Sequence, residues 1–169
     1  MTHMHTTADG ATPFDRIWNT RPQFYAVFMA DYRRSIARVD PVLLELCRLR
    51  MARLFGCTLD LSLRLKAART AGLADNKIQA LANYDKSALF TERERVCIGF
   101  AEQFALASYD IGDADVARVQ RVLSPEDFIY FVKALSVIDQ FQRSAVSFGA
   151  APAAVPPAGM NEFDVVALH

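Results

Sequence analysis

The chain is predicted to be an all-α, single-domain helical bundle of about six or seven helices, and three observations carry that prediction. Apolar residues recur at helical spacing through most of the stretch from 13 to 149. Helix starts and stops punctuate that pattern at regular intervals. No stretch reads convincingly as a strand. At 169 residues the chain is long enough for one domain with a sizeable core. Residues 1–12 are polar, small and aperiodic and read as a disordered N-terminal tail, while 150–169 form a Pro/Ala-rich C-terminal tail.

From Phe14 to Val39 the pattern is aromatic and helical, with Trp18 ahead of Pro22 and then Phe24, Tyr25, Phe28 and Tyr32 on adjoining turns. Such a stripe is core, or else the wall of a pocket or a subunit contact. Asp40-Pro41 starts the next helix, with Asp as N-cap and Pro at the first helical position. That helix runs to a break at Phe55-Gly56. Leu43, Leu44, Cys47, Met51, Leu54 and Phe55 fall on one arc, and Val42, Leu49 and Ala52 form a second apolar stripe around Glu45. A helix apolar on two sides is sandwiched, so Glu45 is expected out of bulk water and in need of a donor or a proton.

A second helix is predicted from Cys57 to Gly72. Wound at 3.6 residues per turn, it puts Thr58, Ser62, Lys66, Arg69 and Thr70 toward solvent. Asp60 and Arg64 then fall on the buried arc beside Ala67, Ala68 and Ala71. The pair is either a structural ion pair or the lining of a polar pocket.

Asp75 opens a short helix to about Ala82, and Asn83 to Phe90 is a loop. Thr91-Glu92-Arg93-Glu94 is a capping box, starting a helix that ends near Ala107. Asp113 or Asp115 caps a short helix through Val122. Ser124-Pro125 starts the longest helix, running to Gly149, in which Asp139 and Arg143 are spaced to pair. In the C-terminal tail, Phe163, Val165 and Val166 either hang loose or dock on a neighbour.

Nineteen basic residues balance nineteen acidic ones, which argues against a nucleic-acid footprint. No apolar run has the roughly 18 residues a membrane span needs, and the N-terminus has no basic segment leading into an apolar one. A soluble, cytoplasmic protein is expected. Cys47, Cys57 and Cys97 are odd in number and lie inside helical patterns, which fits a reducing compartment. The histidines, His3, His5 and His169, lie at the ends, so no metal site has ligand spacing and no cofactor is implied.

The succession Glu45, Arg48-Leu49-Arg50, Gly56-Cys57, Ala67-Ala68-Arg69-Thr70-Ala71-Gly72, then Leu89-Phe90-Thr91-Glu92-Arg93-Glu94, Ala101-Glu102 and Arg143 resembles the alkyl hydroperoxidase D / carboxymuconolactone decarboxylase family. The resemblance covers roughly residues 40–149. It implies an all-helical, AhpD-like domain over 13–149, assembly as a trimer or hexamer, and a site at the helix pair around Gly56. The family's peroxidase branch carries Glu, then Cys-x-x-Cys, then His. Here Glu45 and Cys57 match, but Asp60 stands at the second cysteine, the thiol that attacks peroxide, and Arg64 stands at the histidine. A decarboxylase-like branch carries Glu where Asp60 stands.

Asp60 thus keeps a carboxylate, whereas a guanidinium cannot shuttle protons but holds carboxylates or oxyanions well. The expected activity is a cofactor-free lyase, decarboxylase or isomerase step on a small anionic or ring-shaped molecule. Glu45 would move the proton, Asp60 would assist, Arg64 would anchor the substrate, and Cys57, Phe28 and Tyr32 would line the site. Two alternatives stand beside it: a non-catalytic oligomeric binding or scaffold protein, and residual single-thiol peroxidase activity through Cys57.

Overall fold

The computed structural model describes residues 6–152, 156–157, 160 and 165–167. The N-terminal region is ordered from its cap rather than from Phe14. Thr12, fully buried, caps α1 (Pro13–Trp18) in a capping box with Asp15, and Tyr25 donates a 2.9 Å hydrogen bond to the Asp15 carboxylate. That knot ties α1 to α2 (Pro22–Ile36). The aromatic stripe is core except for Phe24, which is 62% exposed: Trp18 stacks on Tyr25 and Phe28, and Phe14 packs on Phe141.

Helix α3 (Pro41–Phe55) is the central element. The Asp40 side chain accepts from the Leu43 amide at 2.9 Å, and Gly56 closes the helix at φ 65°, a conformation that favours glycine. Two-sided apolarity has the expected result, since Leu46, Cys47, Leu49, Met51 and Ala52 are all fully buried. Helix α3 packs against α7 (Glu92–Ala107) and α9 (Pro125–Ser147), and α2 packs against α9. The capping boxes at Thr91 and the cap at Ser124 start α7 and α9 where the sequence puts them. Asp139 and Arg143 do pair, at 2.8 Å.

The continuous helix expected from Cys57 to Gly72 does not form. In its place stand α4 (Thr58–Leu61), the strand β1 (Leu63–Leu65) and α5 (Lys66–Thr70). The Ser62 hydroxyl bonds back to the Leu59 carbonyl at 2.6 Å as the chain leaves the helix. Beyond it Leu63 and Leu65 are buried and Arg64 between them is not, which is the period-2 pattern of a strand. Short helices α6 (Asp75–Gln79) and α8 (Asp113–Gln120) form near where the sequence puts them, and this break, together with the division of the first helical stretch into α1 and α2, makes nine α-helices among the described residues rather than six or seven. The cap of α8 is Gly112, with Asp115 returning to its amide at 3.1 Å.

Strand β1 pairs antiparallel with β2 (Val165–Ala167), with Arg64 opposite Val166. Part of the C-terminal tail therefore docks on its own chain. Phe163 lies outside the described residues.

Candidate functional site

Glu45 is buried as its apolar stripe predicts, and one turn along the same helix Arg48 supplies the donor it needs. Both are 1% exposed. Arg48 Nε and Nη2 hold the two oxygens of Glu45 at 2.8 and 2.9 Å, a bidentate pair. Its Nη1 donates to the Asp60 carboxylate and, at 2.9 Å, to the Asp60 carbonyl, and Nη2 also reaches the Leu63 carbonyl at 2.9 Å. A guanidinium has five N–H groups, and all five are engaged. From α9, Gln142 Nε2 donates to the other Asp60 oxygen at 2.6 Å and to the Arg48 carbonyl at 2.9 Å. The Leu65 amide donates to Glu45 at 3.3 Å.

The structure thus replaces the expected Asp60–Arg64 pair with Asp60–Arg48. With residues 63–65 extended, positions 60 and 64 no longer share a helix face. Arg64 turns away from Asp60, is half-buried, and gives its Nη1 protons to the Leu61 and Leu63 carbonyls at 2.7 Å each. Leu63 O consequently serves two guanidinium groups.

Tyr32 is buried with its phenol in the field of Asp60, Arg48, Glu45 and Cys57. Burial first, and Asp60 next, raise its pKa. Phe28 meets Tyr32 edge-on at 6.3 Å and stacks on Trp18, one layer away from the ionic groups. The Cys57 thiol, 1% exposed, is pushed up to about 12, chiefly by burial and then by Asp60, so it stays protonated at neutral pH. It borders a cavity of about 190 Å³ together with Gly56, Thr58, Ala145, Val146 and Gly149.

One guanidinium faces two carboxylates here. Burial alone would lower the pKa of Arg48, but Asp60 and Glu45 outweigh it and hold the guanidinium charged. For Asp60 the balance tips the other way: burial raises its pKa more than Arg48 and Gln142 lower it. Asp60 therefore binds a proton more tightly in the folded than in the unfolded chain. Its contribution to stability is complete below the ordinary aspartate range and is lost as pH rises through the raised value. We expect the Tm of the wild type, relative to that of Asp60→Asn, to fall as pH is raised from about 4, and thermal melts of both across that range measure it.

Sequence reasoning missed Arg48 and Gln142 as members of the cluster. Arg48 carried a signal, an arginine at i+3 from a glutamate that needed a donor. Gln142 is the amide on an α9 face otherwise built from Ile138, Phe141 and Ala145, all fully buried.

Solved structures share this architecture. A protein of unknown function from Agrobacterium tumefaciens, suggested to be the antioxidant defence protein AhpD, superposes with a TM-score of 0.73 at 20% identity, over 81% of this chain and 95% of that one. The fold is AhpD-like. An uncharacterised peroxidase-related protein from Ralstonia eutropha with an AhpD core matches at TM-score 0.72 and 16% identity, covering 84% of this chain and 77% of its own. The apo debrominase Bmp8 matches at 0.73 and 17%, covering 90% and 83%. At these identities the AhpD-like likeness is one of fold. No protein-family model and no curated protein matches the sequence. No helix among the described residues is long and apolar enough to cross a membrane.

Proposed function

We propose that this is an AhpD-like protein without peroxide-reducing dithiol chemistry, acting as an oligomeric binding or scaffold module. The observation that carries this reading is the saturation of Arg48. Its five donors, both Glu45 oxygens and both Asp60 oxygens are spent on one another, on Gln142 and on main chain, within a region closed to solvent. A buried ion cluster fills the place where the family resemblance puts the second thiol. Cys57, protonated, has a carboxylate rather than a resolving thiol three residues on, at Asp60.

The test is incubation with hydrogen peroxide or an organic hydroperoxide in the presence of dithiothreitol. Peroxide should disappear no faster than in a protein-free control. Mass spectrometry should find Cys57 oxidised no faster than Cys47 and Cys97. Turnover, or selective oxidation of Cys57, refutes the reading.

A second reading is a cofactor-free lyase, decarboxylase or isomerase acting on a small anionic or ring-shaped molecule. It is favoured by the raised proton affinity of Asp60, close to the cavity at Cys57. Asp60 would then be the acid and Glu45 its partner. Arg64, half-buried with its Nη1 on the Leu61 and Leu63 carbonyls, would anchor the substrate, and Tyr32 and Phe28 would back the site. A variant of debrominase Bmp8 with a cysteine changed to alanine has been solved with 2,3,4-tribromopyrrole, so that ring is a natural first probe. A rise in Tm with tribromopyrrole or a small aromatic acid in the wild type, absent in Asp60→Asn and Arg64→Ala, selects this reading. No ligand-induced rise in any of the three proteins selects the first.

A further inference from the structure

The segment after α9 touches the candidate site at both ends. At its start Ala150 and Ala151 line the cavity beside Cys57, and at its far end Val165–Ala167 lie on β1. Between them Met160 is 1% exposed, so the segment is anchored in the core midway.

The two edges of β1 do different work. Leu63 and Leu65 turn one edge inward, where the Leu63 carbonyl serves Arg48 and the Leu65 amide serves Glu45. Main-chain groups alternate sides along a strand, so the N–H and C=O of Arg64 point the other way, toward its partner Val166. The ionic cluster and the C-terminal strand therefore grip opposite edges of the same three residues. Three paired residues make a marginal ladder on their own.

We propose that the C-terminal strand is a displaceable latch: seated on β1 it holds the Glu45–Arg48–Asp60 cluster closed, and its release opens α4, with Cys57 at its start, to solvent. The path is short and continuous. Loss of the outer edge frees Arg64, the Leu63 carbonyl and Leu65 amide lose their fixed positions, and Arg48 loses one acceptor while Glu45 loses one donor, which loosens the guanidinium that holds Asp60 in place. The inference does not depend on whether the site catalyses a reaction.

The test uses the full chain carrying Val166→Pro, which removes the N–H facing Arg64, with Val166→Ala as the control that keeps it. Labelling of the three cysteines by a small thiol reagent is followed residue by residue with mass spectrometry. We expect Cys57 to react at least tenfold faster in Val166→Pro than in wild type, with Cys47, Cys97 and the Val166→Ala protein unchanged. An unchanged Cys57 rate overturns the latch. A parallel rise at all three cysteines also overturns it, because that is general loosening of the fold. Selective oxidation of wild-type Cys57 by peroxide would refute the proposed function and leave this rate comparison standing.

Discussion

Replacing Arg48 with methionine should cost about 3–5 kcal/mol of stability, the scale found when one partner of a buried ion pair is removed. The methionine fills the volume but donates nothing. It takes the charged donor from the Glu45 and Asp60 carboxylates and from the Asp60 and Leu63 carbonyls, leaving Glu45 with the Leu65 amide, Asp60 with Gln142 and Leu63 with Arg64, all in a region closed to water. Urea unfolding is the measurement. With a slope of about 1–3 kcal/mol/M, the midpoint should fall by at least about 1 M. The control adds Glu45→Leu and Asp60→Leu, so that no charge stays behind, and most of the loss should then be recovered because apolar packing commonly substitutes for a buried ionic cluster. A single Arg48→Met variant as stable as the wild type would mean that the cluster is wet and its charges are independently solvated.

Phe14→Ala should cost a similar amount, about 3–5 kcal/mol, for an unrelated reason. The ring is fully buried and meets Trp18, Tyr25, Phe141 and Phe148, so truncation leaves a void among residues that are themselves locked. For a domain of this size that corresponds to a drop in Tm of roughly 6–20 °C. The effect reaches the site through Phe141, which packs on Tyr32 at 5.8 Å, and the Tyr32 phenol stands in the field of the ionic cluster. A thermal melt shifted by less than about 2 °C would show that α1 packs loosely and that the aromatic layer is not what holds α2 against α9.

Much of the scaffold was legible because its signals are local. Asp40-Pro41 and Gly56 bracket α3 with a side-chain cap and a left-handed glycine, and Thr91 with Glu94 starts α7 by a reciprocal pair of hydrogen bonds. The burial of Glu45 was legible too, since two apolar stripes leave it nowhere else to go. The segment from Cys57 to Gly72 was not, because it carries both periods at once. Leu59, Leu61, Leu63 and Leu65 alternate as a strand does, while Ala67, Ala68 and Ala71 favour helix. The choice is made by partners remote in sequence: Arg48, which takes the Leu63 carbonyl, and Val165–Ala167, which pair with the other edge. Once the strand forms, the spacing argument that put Asp60 and Arg64 on one face no longer applies. Asp60 finds its guanidinium on α3 instead.

The chain has one tryptophan, and its ring stacks against Tyr25 and Phe28 and meets Phe148 edge-on. Its intrinsic emission therefore monitors the junction of α1, α2 and the end of α9 without any attached dye. A change in colour or intensity on adding a small molecule would be a label-free optical readout from the layer next to Tyr32.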